Sequence, residues 1–191
     1  QSKDLPEKHN HLYFIFNKFK IIYNDPRRFG FVRIIKSKYD LINYFSKLGP
    51  EPLGIKFNTK YLKKKFENSI KNIKNSLLDQ SLVSGIGNIY ASEILFRSKV
   101  NPLKKVENLT SLEIKKIISK TKLVLRNAIQ KGGSSIRDFK NISGFKGNYQ
   151  KEFKVYSKEN YTCPNRGCRA KIIKINISKR ATYYCKNCQN I

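Results

Sequence analysis

Several kinds of residue are absent or rare in this sequence of 191 residues. It contains no methionine and no tryptophan, and all four of its cysteines follow residue 160. No apolar run reaches the ~20 residues that a transmembrane helix needs, and no secretory signal is present. We therefore expect a cytoplasmic protein without a membrane partner. Because an unprocessed translation product begins with methionine, we also expect that a segment preceding Gln1 is missing.

Acidic residues are few, with 13 Asp and Glu against 40 Lys and Arg, which gives a formal net charge of +27. A field of this size and sign attracts polyanions beyond contact distance, and nucleic acid is the first candidate partner. A compositionally biased genome would also raise the number of lysines, and some of them then form only a solvated surface. Such a bias should raise both signs of charge, so the scarcity of acidic residues favours nucleic acid.

The cysteines follow the pattern Cys163-x4-Cys168 and Cys185-x2-Cys188. Two short cysteine loops that face each other supply the four thiolates of a tetrahedral Zn²⁺ site without a large core. The alternative is a pair of disulfides in a secreted domain. The spacing favours one structural Zn²⁺, because a closed four-cysteine site leaves no coordination position for water or substrate.

Aromatic and β-branched runs near the start of the chain predict an antiparallel sheet. The predicted strands are 11–16, 19–23 and 29–35. A short helix is predicted at 39–48, and two prolines and a glycine in the LGPEPL segment at 48–53 mark a domain boundary.

Beyond this boundary the apolar residues recur with a helical period. The predicted helices are 61–70, 73–80, 89–97 and 112–130. The last helix opens with a capping box from Thr110 to Glu113, and it stops at Gly132 and Gly133. The chain is therefore predicted to be α+β, with a sheet, a helical domain and a cysteine ribbon in that order.

The segment VSGIGNIYASEIL at 83–95 combines two glycines with Asn88 at the predicted start of a helix. Gly85 and Gly87 allow a close approach of the backbone, and the free N–H groups of a helix start can bind a phosphate. The alternative is an ordinary helix start in which Asn88 serves only as the N-cap.

Five segments of the chain resemble one enzyme family when they are taken together. They are NDPRRFG at 24–30, LGPEPL at 48–53, GIGNIYASE at 85–93, GGSS at 132–135 and RATYYC at 180–185. In sequence and order they resemble the bacterial formamidopyrimidine-DNA glycosylases of the formamidopyrimidine-DNA glycosylase and endonuclease VIII family. The resemblance implies a β-sandwich, of which 1–48 would be the last part. It further implies a helix-two-turn-helix domain with a lesion-capping loop at 49–150 and a zinc ribbon at 151–191.

The resemblance also implies an activity. Members of this family release oxidised purines, chiefly 8-oxoguanine and formamidopyrimidines, from double-stranded DNA, and they cut abasic strands by β and δ elimination. Their nucleophile is an N-terminal proline that forms a Schiff base, assisted by a glutamate, and Gln1 does not match this proline. We therefore expect a bifunctional DNA glycosylase and AP lyase of base-excision repair that acts as a monomer, although this chain alone would be inactive. The alternative is a non-catalytic, zinc-dependent DNA-binding module.

Four of the DNA-contacting residues implied by the resemblance form two pairs. Arg27 and Phe29 match residues that fill the gap left by an everted nucleotide, the first by hydrogen bonds and the second as a wedge. Asn88 and Arg180 match the pair that grips the phosphates beside the lesion, and Arg180 also matches the proton donor of δ elimination. The local alternatives are a simple turn at 24–26, a strand core position for Phe29 and a solvated Arg180.

Three further positions match DNA contacts of the same family. His9 and Lys74 match residues that touch DNA, and Tyr149 lies at the end of a segment, 134–149, that resembles the loop closing over the flipped base. A structural histidine and a plain surface loop are the alternatives.

Overall fold

The computed structural model describes residues 7–135 and 147–190. Within these ranges the chain forms two short antiparallel hairpins and five α-helices, together with three short 3-10 turns. None of these helices is both long and apolar enough to cross a membrane.

The N-terminal segment, residues 7–48, contains one hairpin and one helix. Strands β1 (Asn10–Ile15) and β2 (Lys20–Asn24) pair antiparallel, with Phe14 opposite Ile21. Helix α1 (Lys38–Phe45) follows. The predicted third strand at 29–35 is wrong, because this stretch pairs with no strand in the described part of the chain and a strand needs such a partner. No residue of 7–48 is buried.

Four helices, which correspond to the predicted ones with shifted ends, build the main core. They are α2 (Thr59–Phe66), α3 (Ile73–Leu78), α4 (Asn88–Ser98) and α5 (Ser111–Gln130). The capping box between Thr110 and Glu113 is confirmed at the start of α5. This helix ends before Gly132 and Gly133, whose φ angles of 70° and 83° favour glycine. Helix α5 packs on α4 and on α2 and so supports both helices.

The connection between α3 and α4, residues 79–87, makes two tight turns. The Gln80 side chain accepts a hydrogen bond from the Gly85 N–H and donates one to the Ile86 carbonyl. The Gly49 N–H donates to the Gln80 carbonyl at 2.8 Å. A Cβ atom on Gly49 would lie 2.4 Å from the Leu82 backbone, so only glycine permits this approach. The LGPEPL segment therefore braces the turns that place the start of α4.

The C-terminal ribbon, residues 161–190, packs against α4. Strands β3 (Ile173–Ile177) and β4 (Arg180–Tyr184) form its hairpin. The ribbon has a small core of its own, to which α4 contributes Phe96. The other members are Val155, Cys163, Ile172 and Cys185. Helix α4 thus belongs to both cores and fixes the ribbon relative to the helical domain.

Candidate phosphate-binding site and cysteine cluster

The four cysteine Sγ atoms all lie within 4.8 Å of one another. The Sγ atoms of Cys163 and Cys188 are 3.8 Å apart, and those of Cys168 and Cys185 are 3.7 Å apart. A tetrahedron with metal–sulfur bonds of ~2.3 Å has edges of about 3.8 Å. The cysteines are free thiols, so the predicted alternative of two disulfides is wrong, and the longer x4 loop does not prevent the arrangement. The donor set fits a four-thiolate metal site.

Helix α4 begins at Asn88, and Gly87 is its N-cap. The interpretation of Asn88 as the N-cap is therefore wrong, because no side chain caps this helix. The Asn88 amide instead donates to the Ala181 carbonyl of the ribbon at 2.9 Å. Its Oδ1 atom is buried and has no hydrogen-bond partner among the residues that the structure describes. The first N–H groups of α4 remain available for an anion, beside the hairpin that carries Arg180.

Arg180 opens β4 directly before Ala181, and its side chain is exposed. The two residues of the hairpin turn, Ser178 and Lys179, have φ angles of 47° and 62°, which are unusual for residues other than glycine. Asn75 of α3 donates to the Ser178 hydroxyl at 2.9 Å and ties this turn to the helical domain. The structure therefore places Asn88, at the start of α4, next to the hairpin that carries Arg180, although the two residues are far apart in sequence.

Lys74 is buried between the start of α4 and the Arg180 hairpin. Its side chain has no exposed area, and its Nζ donates to the hydroxyl groups of Ser92, at 2.9 Å, and Thr182, at 3.4 Å. Burial, with a smaller effect of the Arg180 charge, lowers the pKa of Lys74 to about 7. The fold encloses the ammonium group between α3, α4 and β4. A direct contact with DNA would require this environment to open, so that role stays a prediction.

Tyr149 is also internal, with 1% of its surface exposed. It opens a 3-10 turn (Tyr149–Glu152), and its ring packs against Tyr90 and Phe153 at centroid distances of 5.9 and 6.0 Å. Its N–H donates to the Gly133 carbonyl, so the stem of the predicted capping loop is closed. Residues 136–146 of that loop lie outside the described residues. The predicted DNA contact of Tyr149 remains a prediction, and in this conformation the ring serves the core.

Asp25 organises the turn that carries Arg27 and Phe29. Its carboxylate accepts hydrogen bonds from the N–H groups of Arg27, Arg28 and Gly30, at 3.1, 3.0 and 2.7 Å. These bonds, foremost the one from Gly30, hold the pKa of Asp25 below its usual value. The alternative of a strand core position for Phe29 is wrong, because 77% of this residue is exposed.

The Arg27 guanidinium lies over the Phe29 ring, 4.8 Å from its centroid. The two side chains are therefore displayed together on this turn, and their gap-filling role stays a prediction. His9 is half-buried at the base of the same turn, and its carbonyl accepts the Asp25 N–H at 2.9 Å. An Asp before Pro is a recognisable turn signal, and it predicts the turn at 24–26 but not the three hydrogen bonds that Asp25 accepts.

Glu93 is a second residue that sequence reasoning missed. It is fully buried in α4 and accepts hydrogen bonds from the N–H groups of Lys154, Val155 and Tyr156, at 2.9 to 3.0 Å. Arg97, one turn later, forms an ion pair with it. Glu93 thereby attaches the segment that leads into the ribbon. Its spacing of four residues from Arg97 was the available signal.

Gln189 fixes the end of the ribbon to the segment that follows α4. Its side chain donates to the Val100 carbonyl at 2.9 Å and accepts the Cys185 N–H at 3.0 Å. Asn101 donates to the Gln189 carbonyl at 2.8 Å. The ribbon is thus held by Glu93 within α4 and by the two residues Val100 and Asn101 just after it.

These features define a helix-two-turn-helix domain joined to a four-cysteine ribbon. The family model described as the formamidopyrimidine-DNA glycosylase H2TH domain matches residues 48–140. The formamidopyrimidine-DNA glycosylase of Roseobacter denitrificans is 41% identical over 190 residues, which are 98% of this chain and 67% of the relative. That of the Wolbachia of Drosophila simulans is 43% identical over 184 residues, 96% of this chain and 67% of the relative.

Solved structures give the same result. The Lactococcus lactis Fpg, in a complex with DNA that contains an abasic site, superposes with a TM-score of 0.88 at 37% identity, covering 99% of this chain and 69% of that chain. The MutM (Fpg) protein from Thermus thermophilus gives 0.85 at 32% identity, with 96% and 70% covered. The chain belongs to the formamidopyrimidine-DNA glycosylase family and spans about two thirds of the length of these relatives. The predicted family and the α+β fold class are confirmed.

Proposed function

We propose that this chain grips damaged double-stranded DNA in base-excision repair, as part of a DNA glycosylase. The observation that carries the proposal is the 2.9 Å hydrogen bond from Asn88 to Ala181, which joins the start of α4 to the Arg180 hairpin. A helix start without a side-chain cap, beside an exposed arginine, offers N–H groups and a positive charge to one phosphate. The relatives are named as glycosylases, and one of their structures contains abasic-site DNA.

The finer assignment concerns the lesion and the chemistry. We assign oxidised purines and abasic sites as the substrates, with Arg27 and Phe29 filling the gap left by the everted base. In an AP lyase reaction Arg180 would donate the proton of δ elimination. The nucleophile of base release in this assignment is the terminal proline amine that the family resemblance implies. The expected setting is the bacterial cytoplasm, with one protein molecule on one duplex.

A structural Zn²⁺ is part of the proposal. Cys163, Cys168, Cys185 and Cys188 would hold it, because four clustered thiolates suit this ion better than a hard cation. When bound, the ion supplies rigidity and leaves no coordination position for substrate. Because Cys185 directly follows β4, the bound ion would keep the Arg180 hairpin in place.

A non-catalytic DNA-binding module is the second candidate. The helical domain and the ribbon possess cores of their own, whereas no residue of 7–48 is buried. The part that would grip DNA therefore does not depend on buried residues in 7–48. Borohydride trapping on abasic-site DNA separates the candidates. A glycosylase is trapped once a lobe with a free terminal proline is joined to the chain, and the module is not trapped in either form.

The phosphate grip is tested by the salt dependence of binding to a duplex with an abasic-site analogue. Each neutralised phosphate releases counterions, so Arg180→Ala should weaken binding and reduce the slope of log K against log salt by about one. Lys186→Ala, which removes an exposed charge from the same ribbon, is the matched control and should change the slope less. Equal slopes for the two variants, or an affinity independent of salt, would contradict the proposal.

A further inference from the structure

Lys74 has an unusual environment for a charged side chain. Its ammonium group has no solvent-exposed area, and its three hydrogen-bond acceptors are neutral. They are the hydroxyl oxygens of Ser92 and Thr182 and the main-chain carbonyl of Asn88, the last at 3.5 Å. Among the described residues no carboxylate is bonded to it. A buried cation without an anion is costly, so this arrangement needs a physical reason.

The hydrogen bonds of Lys74 join the two parts of the phosphate site. Ser92 and Asn88 belong to the first turns of α4, and Thr182 belongs to β4, two residues after Arg180. The next residue of α3, Asn75, holds the turn of the same hairpin through Ser178. Helix α3 therefore sets the distance between the start of α4 and the arginine, and Lys74 is the central link.

The elements packed around Lys74 and the segments next to them carry several charged side chains, of which Arg180 acts on the pKa of Lys74. Arg180 of β4 lies within electrostatic reach and disfavours a second positive charge. On α4, Glu93 is bonded to Arg97 and to the N–H groups of 154–156. On α3 and its flanks, Lys71 is paired with Asp79, and beyond α4 Lys104 is paired with Glu113.

Burial and the Arg180 charge together lower the pKa of Lys74 to about 7. A phosphodiester bound at Arg180 would add the missing negative charge, which offsets the arginine and favours the ammonium form of Lys74. By thermodynamic linkage, a ligand that favours protonation binds more tightly when the proton is available.

We propose that Lys74 is a positioning residue of the phosphate site, which joins α4 to the Arg180 hairpin and takes up a proton when a DNA phosphodiester binds there. This inference rests on the proposed function, because the anion is a phosphate of DNA. In the free protein near neutral pH, Lys74 is divided between its neutral and charged forms. In the complex it is charged, and its three hydrogen bonds hold the site closed around the phosphate.

The test is the affinity of the 191-residue chain for an undamaged duplex, measured between pH 7 and pH 9 at constant ionic strength. The association constant of the unchanged chain should fall with rising pH, by up to about tenfold per pH unit. Calorimetry in two buffers of different ionisation enthalpy should show uptake of up to about one proton at pH 8.

Two variants separate positioning from general charge. Lys74→Met keeps most of the volume and removes both the proton and the three hydrogen bonds. Its affinity should therefore be lower than that of the unchanged chain at pH 7 and independent of pH, and the difference between the two should narrow towards pH 9. Lys71→Met removes an exposed lysine from the same region and should retain the full pH dependence. Circular dichroism and metal content check that both variants are folded.

A measurement on the unchanged chain covers the case in which Lys74→Met does not fold. The ¹³Cε resonance of Lys74 should titrate near pH 7 in the free protein and at least one pH unit higher in the complex. Duplex binding without proton uptake, or an unchanged titration of Lys74, would overturn this inference and leave the proposed function intact. A failure to bind duplex at all would overturn both.

Discussion

The N-terminal segment, residues 7–48, and the rest of the described chain differ in how they hold their apolar side chains. The helical domain and the ribbon bury theirs in two cores that share α4. In the N-terminal segment no residue is buried, and large side chains such as Ile15, Phe29 and Ile34 are 83%, 77% and 88% exposed. Apolar surface of this kind is normally covered by a partner. The proposed phosphate site therefore draws its rigidity from the helical domain and ribbon alone, whereas Arg27 and Phe29, which are proposed to fill the base gap, lie in the N-terminal segment.

Among the changes to the helical domain and the ribbon, removal of the metal should have the largest effect on folding and binding. Structural zinc sites supply most of the folding free energy of small ribbons, so a chelator should unfold residues after about 161 and leave the helices intact. Duplex affinity should then fall, because the Arg180 hairpin loses its support. Limited proteolysis reports the unfolding of the ribbon, and circular dichroism reports the helices. Added Zn²⁺ should restore the folded ribbon. Freshly purified protein without stoichiometric zinc would contradict the metal assignment.

Glu93→Ala should have the next largest effect. It leaves the Arg97 charge unpaired and removes the acceptor of three N–H groups, of which that of Val155 is buried, and this costs ~3–5 kcal/mol of unfolding free energy. Urea denaturation at neutral pH measures the loss. Glu159→Ala, which removes an exposed carboxylate 3.9 Å from Lys174, is the control and should cost ~0–1 kcal/mol. Similar losses in both variants would mean that Glu93 does not anchor the ribbon.

A smaller effect is expected from acid, through Asp79 in the connection that positions α4. Hydrogen bonds from the Ser81 side chain and backbone, and then Lys71, lower the pKa of Asp79 below its ordinary 3.8. The folded state therefore binds fewer protons than the unfolded state, and this contribution is present above pH 3.8 and lost as the pH falls through the lowered value. Asp79→Asn should make the urea midpoint less dependent on pH between 2 and 4. A pH dependence as steep as that of the unchanged chain would exclude Asp79 as its source.

The helices and the cysteine cluster could be predicted from the sequence because their signals are local. Apolar period, the Thr110 capping box and cysteine spacing each lie within a short stretch. The strand at 29–35 was predicted wrongly because a strand depends on a partner that residue pattern cannot supply. The burial of Lys74 could not be predicted, because an isolated lysine carries no signal of burial. Its enclosure arises only when Thr182 of β4, more than a hundred residues later, meets Lys74 in the folded chain.

The segments that resemble the family contain Asn88 and Arg180, and the segment 85–93 also contains Glu93. They do not show the hydrogen bonds of Glu93 and Gln189, because those bonds depend on how the ribbon meets α4. These bonds join distant parts of the chain, and only the folded arrangement reveals them.

The central claim is that the helical domain and ribbon form the phosphate grip without the N-terminal segment. Its most direct test compares the affinity of residues 49–191 with that of the full chain, for an undamaged duplex and for one with an abasic-site analogue. The shorter chain should bind the undamaged duplex within about threefold of the full chain and with the same salt slope. It should lose any preference for the abasic-site duplex, because Arg27 and Phe29 are gone. A folded, zinc-loaded chain of 49–191 that does not bind the undamaged duplex would contradict the claim.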